Sequence, residues 1–130
     1  MISAAGRPII AQQIAWINVA IQAPSVKRFF PSEYGTDVEY DETSKNEVPH
    51  QQKLKVRAAL REQEKLGKGL EYTFVVTGPF AYGYLAGGKG HLGSFDVKSK
   101  TAVVLGDGKG RVSLTTDPEY VFSDFVCLDI

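Results

Sequence analysis

Apolar positions in the first 80 residues alternate between a helical and an extended period. After Pro8, which suits the first turn of a helix, Ile10, Ile14, Ile17 and Ile21 recur at steps of four, three and four, the spacing of one helix face. Pro24 forbids further helical hydrogen bonding, so this helix should stop near Ala23. Val26, Lys27, Arg28, Phe29 and Phe30 form a short β-prone run closed by Pro31. A second helix is predicted over residues 49–66 from Val56, Ala59, Leu60 and Leu66, with Gly67, Lys68 and Gly69 ending it. Residues 71–76, rich in β-branched and aromatic side chains, follow as a strand. Helix then strand, joined by short connections, is the pattern of right-handed crossovers between parallel strands. Residues 1–6 read as the end of a buried strand that runs into a small-residue loop.

Beyond residue 80 the pattern changes. Gly88, Gly90 and Gly93 spell a literal Gly-x-Gly-x-x-Gly. That motif needs a strand just before it and a helix just after; residues 82–86 intervene and residues 94–99 are not helical, so the segment reads as a loop. Residues 101–105 and 111–115 are two strands around Gly106, Gly108 and Gly110, a hairpin signal. The three glycines could also cradle a phosphate, but no helix follows whose N-terminus would hold the anion. Asp117, Pro118 and Glu119 then cap a last helix whose apolar stripe is Val121, Phe122, Phe125 and Val126.

Composition narrows the function. A chain of 130 residues, 43% hydrophobic, can bury one core but not two. Fifteen basic and fifteen acidic side chains cancel without a basic face, which removes the electrostatic footprint of nucleic-acid binding. A single cysteine, Cys127, fits a reducing compartment, and His50 and His91 lie too far apart to read as a spaced ligand set, so no metal site is expected. Without a basic-then-apolar leader or a membrane-length uncharged run, a soluble, cytoplasmic protein with no membrane role is predicted. Residues 36–48 carry Asp37, Glu39, Asp41, Glu42 and Glu47 against Lys45 alone and read as a solvated loop able to lie over a cleft.

Candidate chemistry gathers around Lys53. Val56 and Leu60 follow it at three and seven residues, so all three share the helix stripe that should face the sheet. Two readings stand: the methylene stem lies on the sheet while the ammonium reaches water, or an amine drawn toward an apolar layer serves a reaction. In open α/β sheets ligands sit beyond the carboxyl ends of the strands. Residues 31–35, beginning Pro31, Ser32, Glu33, and the loop Thr77, Gly78, Pro79, Phe80 leave two such ends, and would border one crevice unless they are ordinary turns. No tyrosine has a lysine four residues on, and no nucleophile elbow, Walker loop or His-Glu zinc helix occurs. That leaves Lys53 as the candidate acid or base, provided its surroundings depress its pKa.

Residues 26–35, VKRFFPSEYG, then Lys53, Leu54, Lys55, Val56 and Arg57, then Tyr72, Thr73, Phe74, Val75 and Val76 with Gly78, Pro79 and Phe80, resemble the isoflavone-reductase-like branch of the NmrA-like family. The likeness spans roughly residues 2–120 and lies in the order and spacing of several segments. These proteins are atypical short-chain dehydrogenases that bind NADP(H). The resemblance implies that Lys53 is the catalytic lysine. It also implies that Ser3, Ala4, Ala5, Pro31, Ser32, Glu33, Lys53, Thr77, Gly78, Pro79 and Phe80 border the cofactor, while the segments after Phe80 help to build the substrate region. The family's opening strand, Gly-x-x-Gly-x-x-Gly turn and helix do not precede Met1.

The expected fold is therefore α/β: the second half of a doubly wound, Rossmann-like parallel sheet (residues 1–80) in one truncated domain, with a C-terminal β-hairpin and helix in a substrate-region segment (residues 81–130). The strand ending at Ala5 would lack its neighbour, leaving an open sheet edge available for self-association. The resemblance implies an NADPH-dependent reductase acting on a small organic substrate, with the half-domain alone expected to be inactive. The alternative is a redox-sensing regulator that binds NADP(H) without chemistry.

Overall fold

The apolar period after Pro8 folds in two steps, a 3-10 turn over Arg7–Gln12 that runs into α1, Gln13–Gln22. This computed structural model describes residues 1–81, 95–96, 98–104, 106–116 and 126–128; Gly88, Gly90, His91 and Gly93 lie outside them. The chain divides into two compact units, Met1–Glu33 with Asp37–Val76, and Tyr34–Thr36 with Thr77–Ile130.

In the first unit Ile10, Ile17 and Ala20 are buried while Ile14 and Ile21 pack at the margin, as their spacing predicts. The Ala23 amide still donates to Ala20, 3.2 Å away, and the helix goes no further, since the ring of Pro24 cannot extend it. β1, Arg28–Phe29, lies parallel to β2, Glu71–Tyr72, with Arg28 opposite Glu71 and Phe29 opposite Tyr72. Phe30 forms a parallel bridge with Ile2. Its amide donates to Met1 and its carbonyl accepts from Ser3, each at 2.9 Å, so β1 is the middle of three parallel passes.

A 3-10 turn holding Pro49, Val48–His50, leads into α3, Gln51–Lys65. The Gly67 amide reaches back to Glu64 at 2.9 Å and that of Lys68 to Gln63 at 3.1 Å, a Schellman closure that needs the left-handed φ of +65° only glycine adopts freely. Val56 and Leu60 join Ile17, Ala20, Phe29 and Leu70 in the core, so α1 and α3 bury their stripes in one apolar cluster. Each fully buried Leu, Ile or Phe there contributes about 2 kcal/mol from the area it removes from water. Two sequence expectations change. Leu66 is not on the stripe: it sits in the cap and is exposed, while Arg57 and Gln63 are buried. Nor are residues 36–48 merely solvated: Val38 is fully buried, and α2, Glu42–Asn46, is capped by the Asp41 carboxylate accepting from the Ser44 amide at 2.7 Å.

The second unit is antiparallel. β3, Phe95–Asp96, pairs with β4, Thr101–Ala102, and β5, Val112–Leu114, pairs with β6, Val126–Leu128. The hairpin expected between residues 101–105 and 111–115 is therefore differently partnered. A local contact supports the observed pairing: the Asp96 carboxylate accepts from the amides of Lys98 and Ser99, at 3.1 and 3.2 Å, in the short connection between β3 and β4. Val126, read as helical, stands in β6; residues 117–125 of that expected helix lie outside the described residues. The first unit thus carries parallel strands with helical crossovers, the second half of a doubly wound sheet, and the second unit carries antiparallel pairs.

Candidate active site

β1 runs through Phe30 into a tight turn in which the Glu33 amide donates to Pro31 at 2.8 Å. Pro31, Ser32 and Glu33 are all buried, and their polar groups are satisfied by side chains brought from elsewhere. The Ser32 amide donates to Gln13 Oε1 at 2.8 Å, and Gln13 Nε2 donates to the Ile10 carbonyl at 3.1 Å. Ser32 Oγ donates to the Ala5 carbonyl at 2.8 Å, tying this turn to the end of the first pass. Ala5 and Ser3 are buried there and Ala4 is exposed. Ser3 Oγ has no hydrogen-bond partner among the described residues, which is unusual for a buried hydroxyl. Beside it runs a groove of about 350 Å³ walled by Ile2, Ala4, Ala5, Ile9 and Trp16. A larger hollow of about 630 Å³ is bounded by Arg28, Glu71 and Gly69 at the amino ends of β1 and β2. The smaller groove follows the first pass from Met1 to Ala5, whose carboxyl end is the side on which open α/β sheets bind ligands.

Lys53 lies in the first turn of α3, half-buried, and its Nζ donates to the Glu33 carbonyl. Burial lowers its pKa from the ordinary lysine value, the nearby charges of Arg57 and Arg7 add to that, and the Glu33 charge opposes it. The Glu33 carboxylate has a different partner. Arg57 grips both its oxygens, Nε to Oε1 at 3.0 Å and Nη2 to Oε2 at 3.2 Å, with side chains only 3% and 2% exposed. Arg57 Nη1 also donates to Asp37 at 3.0 Å and Glu39 at 2.8 Å, and its guanidinium lies 4.5 Å from the centre of the Phe74 ring. Burial alone would lower the Arg57 pKa, but Glu33, Glu39 and Asp37 together raise it. The Arg61 hydrogen bond, working against burial and aided by Arg57, pulls Glu39 down to about 2.

The structure therefore brings Ser3, Ala5, Pro31, Ser32, Glu33 and Lys53 together in the first unit. Thr77, Gly78, Pro79 and Phe80 belong to the second. There the amides of Thr77 and Gly78 share the Gly35 carbonyl at 3.2 and 3.0 Å, and Thr115 exchanges backbone hydrogen bonds with Pro79 and Ala81. Thr115 Oγ1 donates to the Thr77 carbonyl at 2.6 Å. Gly78 has φ +72°, and a Cβ on it would stand 2.0 Å from the Ser113 carbonyl oxygen, so only glycine fits.

Residues 1–116 match the NmrA-like family. The chain belongs to that family. Its NmrA-like sequence is 32% identical over 119 residues to an isoflavone reductase of Pisum sativum, covering 92% of this chain and 36% of that protein. It is 34% identical to a phenylcoumaran benzylic ether reductase of Pinus taeda (86% of this chain, 35% of that protein). To an oxidoreductase of Aspergillus flavus it is 38% identical (82% and 34%). The chain spans about a third of the length of these relatives. Among the described residues no helix is long and apolar enough to cross a membrane.

Two residues that hold the 31–33 turn are not marked by the sequence reading. Gln13 falls three after Ile10 and four before Ile17, on the buried face, so its position was legible although its polarity argued against burial. Arg57 sits three before Leu60 on the same stripe as the core, and the acids at positions 37 and 39 that it pairs with had been read as solvated.

Proposed function

We propose that this NmrA-like chain serves the NADPH-dependent reduction of a small organic substrate in the manner its reductase relatives' names suggest, with Lys53 handling the proton. The observation that carries this reading is the Lys53 amine, half-buried and hydrogen-bonded to a neutral carbonyl at a strand's carboxyl end. A reduced nicotinamide, when bound, supplies a hydride to the substrate carbon. The atom that gains the electron pair then needs a proton, and an ammonium with a depressed pKa is the better donor.

The residues present fit such a ring. The apolar wall of Ile2, Ala4, Ala5, Ile9 and Trp16 carries no basic side chain, which suits a neutral ring better than a phosphate. Ser3, Ala4 and Ala5, together with Pro31, Ser32 and Glu33, are the residues of the first unit proposed for the nicotinamide side. The preference for NADP(H), a soluble cytoplasmic setting and a substrate-contacting role for residues 81–130 complete the reading.

The test is substitution of Lys53's counterpart in a full-length reductase relative that carries a lysine at that position. Alanine there should lower turnover by about 100-fold or more while leaving cofactor affinity nearly unchanged. Undiminished turnover rejects the role of the lysine.

A further inference from the structure

Lys53 and Arg57 stand four residues apart on α3, on the same face, and both converge on Glu33. They use different parts of it. Lys53 meets the backbone carbonyl, whereas Arg57 occupies both carboxylate oxygens at a site that water barely reaches. We propose that Arg57 is a positioning residue for Lys53, holding the 31–33 turn in place and withholding the Glu33 carboxylate from the lysine's ammonium. The proposal rests on the reading of Lys53 given above, but its test does not need turnover.

The physical consequence follows from which acceptor the amine receives. A carboxylate at hydrogen-bond distance would fix the ammonium as an ion pair and make its proton hard to release. A peptide carbonyl orients the same amine without carrying a full negative charge. Arg57 can enforce that choice because it is itself immobilised: Asp37 and Glu39 occupy its remaining donor and Phe74 lies against its plane. The charged groups that act on Lys53 are Glu33 from the turn after β1, Arg57 from α3 and Arg7 from the 3-10 turn before α1. Arg61, one turn further along α3, pairs with Glu39 instead.

The experiment measures the reactivity of each lysine amine toward trace acetic anhydride across pH, read by mass spectrometry of the whole chain. In Arg57→Gln the freed Glu33 carboxylate captures Lys53, and its labelling midpoint should rise by about one pH unit or more. Adding Glu33→Gln removes that carboxylate and should bring the midpoint back toward the wild-type value. Arg61→Gln should leave it where it was. Should Arg57→Gln fail to fold, Arg57→Lys keeps the positive charge but cannot span both oxygens, and the midpoint should rise by a smaller amount. A Lys53 midpoint unmoved in Arg57→Gln or Arg57→Lys overturns the proposal, as does a double variant that stays at the Arg57→Gln value. If the midpoints move as stated while the lysine proves dispensable for turnover in the relative, only the reductase reading fails. If turnover needs the lysine and the midpoints do not move, only the role of Arg57 fails.

Discussion

The turn at residues 31–33 and the loop at residues 77–80 have the same place in the sequence pattern, each leaving a predicted strand, yet they are held by opposite means. The first is secured by side chains: Gln13 on the Ser32 amide, Ser32 on Ala5, Arg57 on the Glu33 carboxylate and Lys53 on the Glu33 carbonyl. The second is secured mainly by backbone, with Gly35 and Thr115 taking up its amides and carbonyls and Gly78 allowing the close approach. A turn held by long charged side chains answers to protonation and to the loss of a partner. A backbone-held loop answers to steric change and hardly to pH.

Four changes test that contrast, in falling order of effect. Arg57→Met removes the cation shared by Glu33, Asp37 and Glu39 and, even with Lys53 drawn to Glu33, should reduce the free energy of unfolding in urea by about 4 kcal/mol. Gly78→Ala forces a left-handed backbone on alanine and drives its Cβ into the Ser113 carbonyl. Its cost of about 3 kcal/mol should appear as faster exchange of the Ala81 and Thr115 amides. Gln13→Leu keeps the volume but strips the Ser32 amide of its acceptor, which costs about 2 kcal/mol and should speed exchange at that amide. The smallest effect is that of pH. Glu39 has its folded pKa depressed to about 2, so its contribution is complete above its ordinary value of 4.5 and is lost as pH falls toward 2. Being part-exposed, it should account for about 1 kcal/mol of acid-dependent stability, most of which Arg61→Gln removes.

The apolar frame was legible in the sequence because periodicity reports burial directly. Ile10 and Ile17, Phe29, Val56 and Leu60 fell where their spacing placed them. The Schellman stop at Gly67 and the proline stop after Ala23 were equally local. What the sequence hid was pairing between distant polar groups. Arg57 finds Glu33, Asp37 and Glu39 across 18 to 24 residues, and no period marks such a contact. The partner of Thr101 and Ala102 was misread because the conspicuous glycines at 106 and 108 outranked the quieter Asp96 turn. The place of Lys53 on an apolar stripe marks it in the sequence, but only coordinates show that its amine meets a peptide carbonyl while Arg57 holds the carboxylate of the same residue.

The most direct test of that arrangement is a titration of the Lys53 amine in the wild-type chain, followed by NMR of a lysine labelled with 13C at Cε. A partly dehydrated ammonium on a neutral acceptor, near two other cations, should lose its proton below the ordinary lysine value of 10.5. A midpoint at or above that value would mean that the amine is free in water or paired with a carboxylate, and would contradict the account.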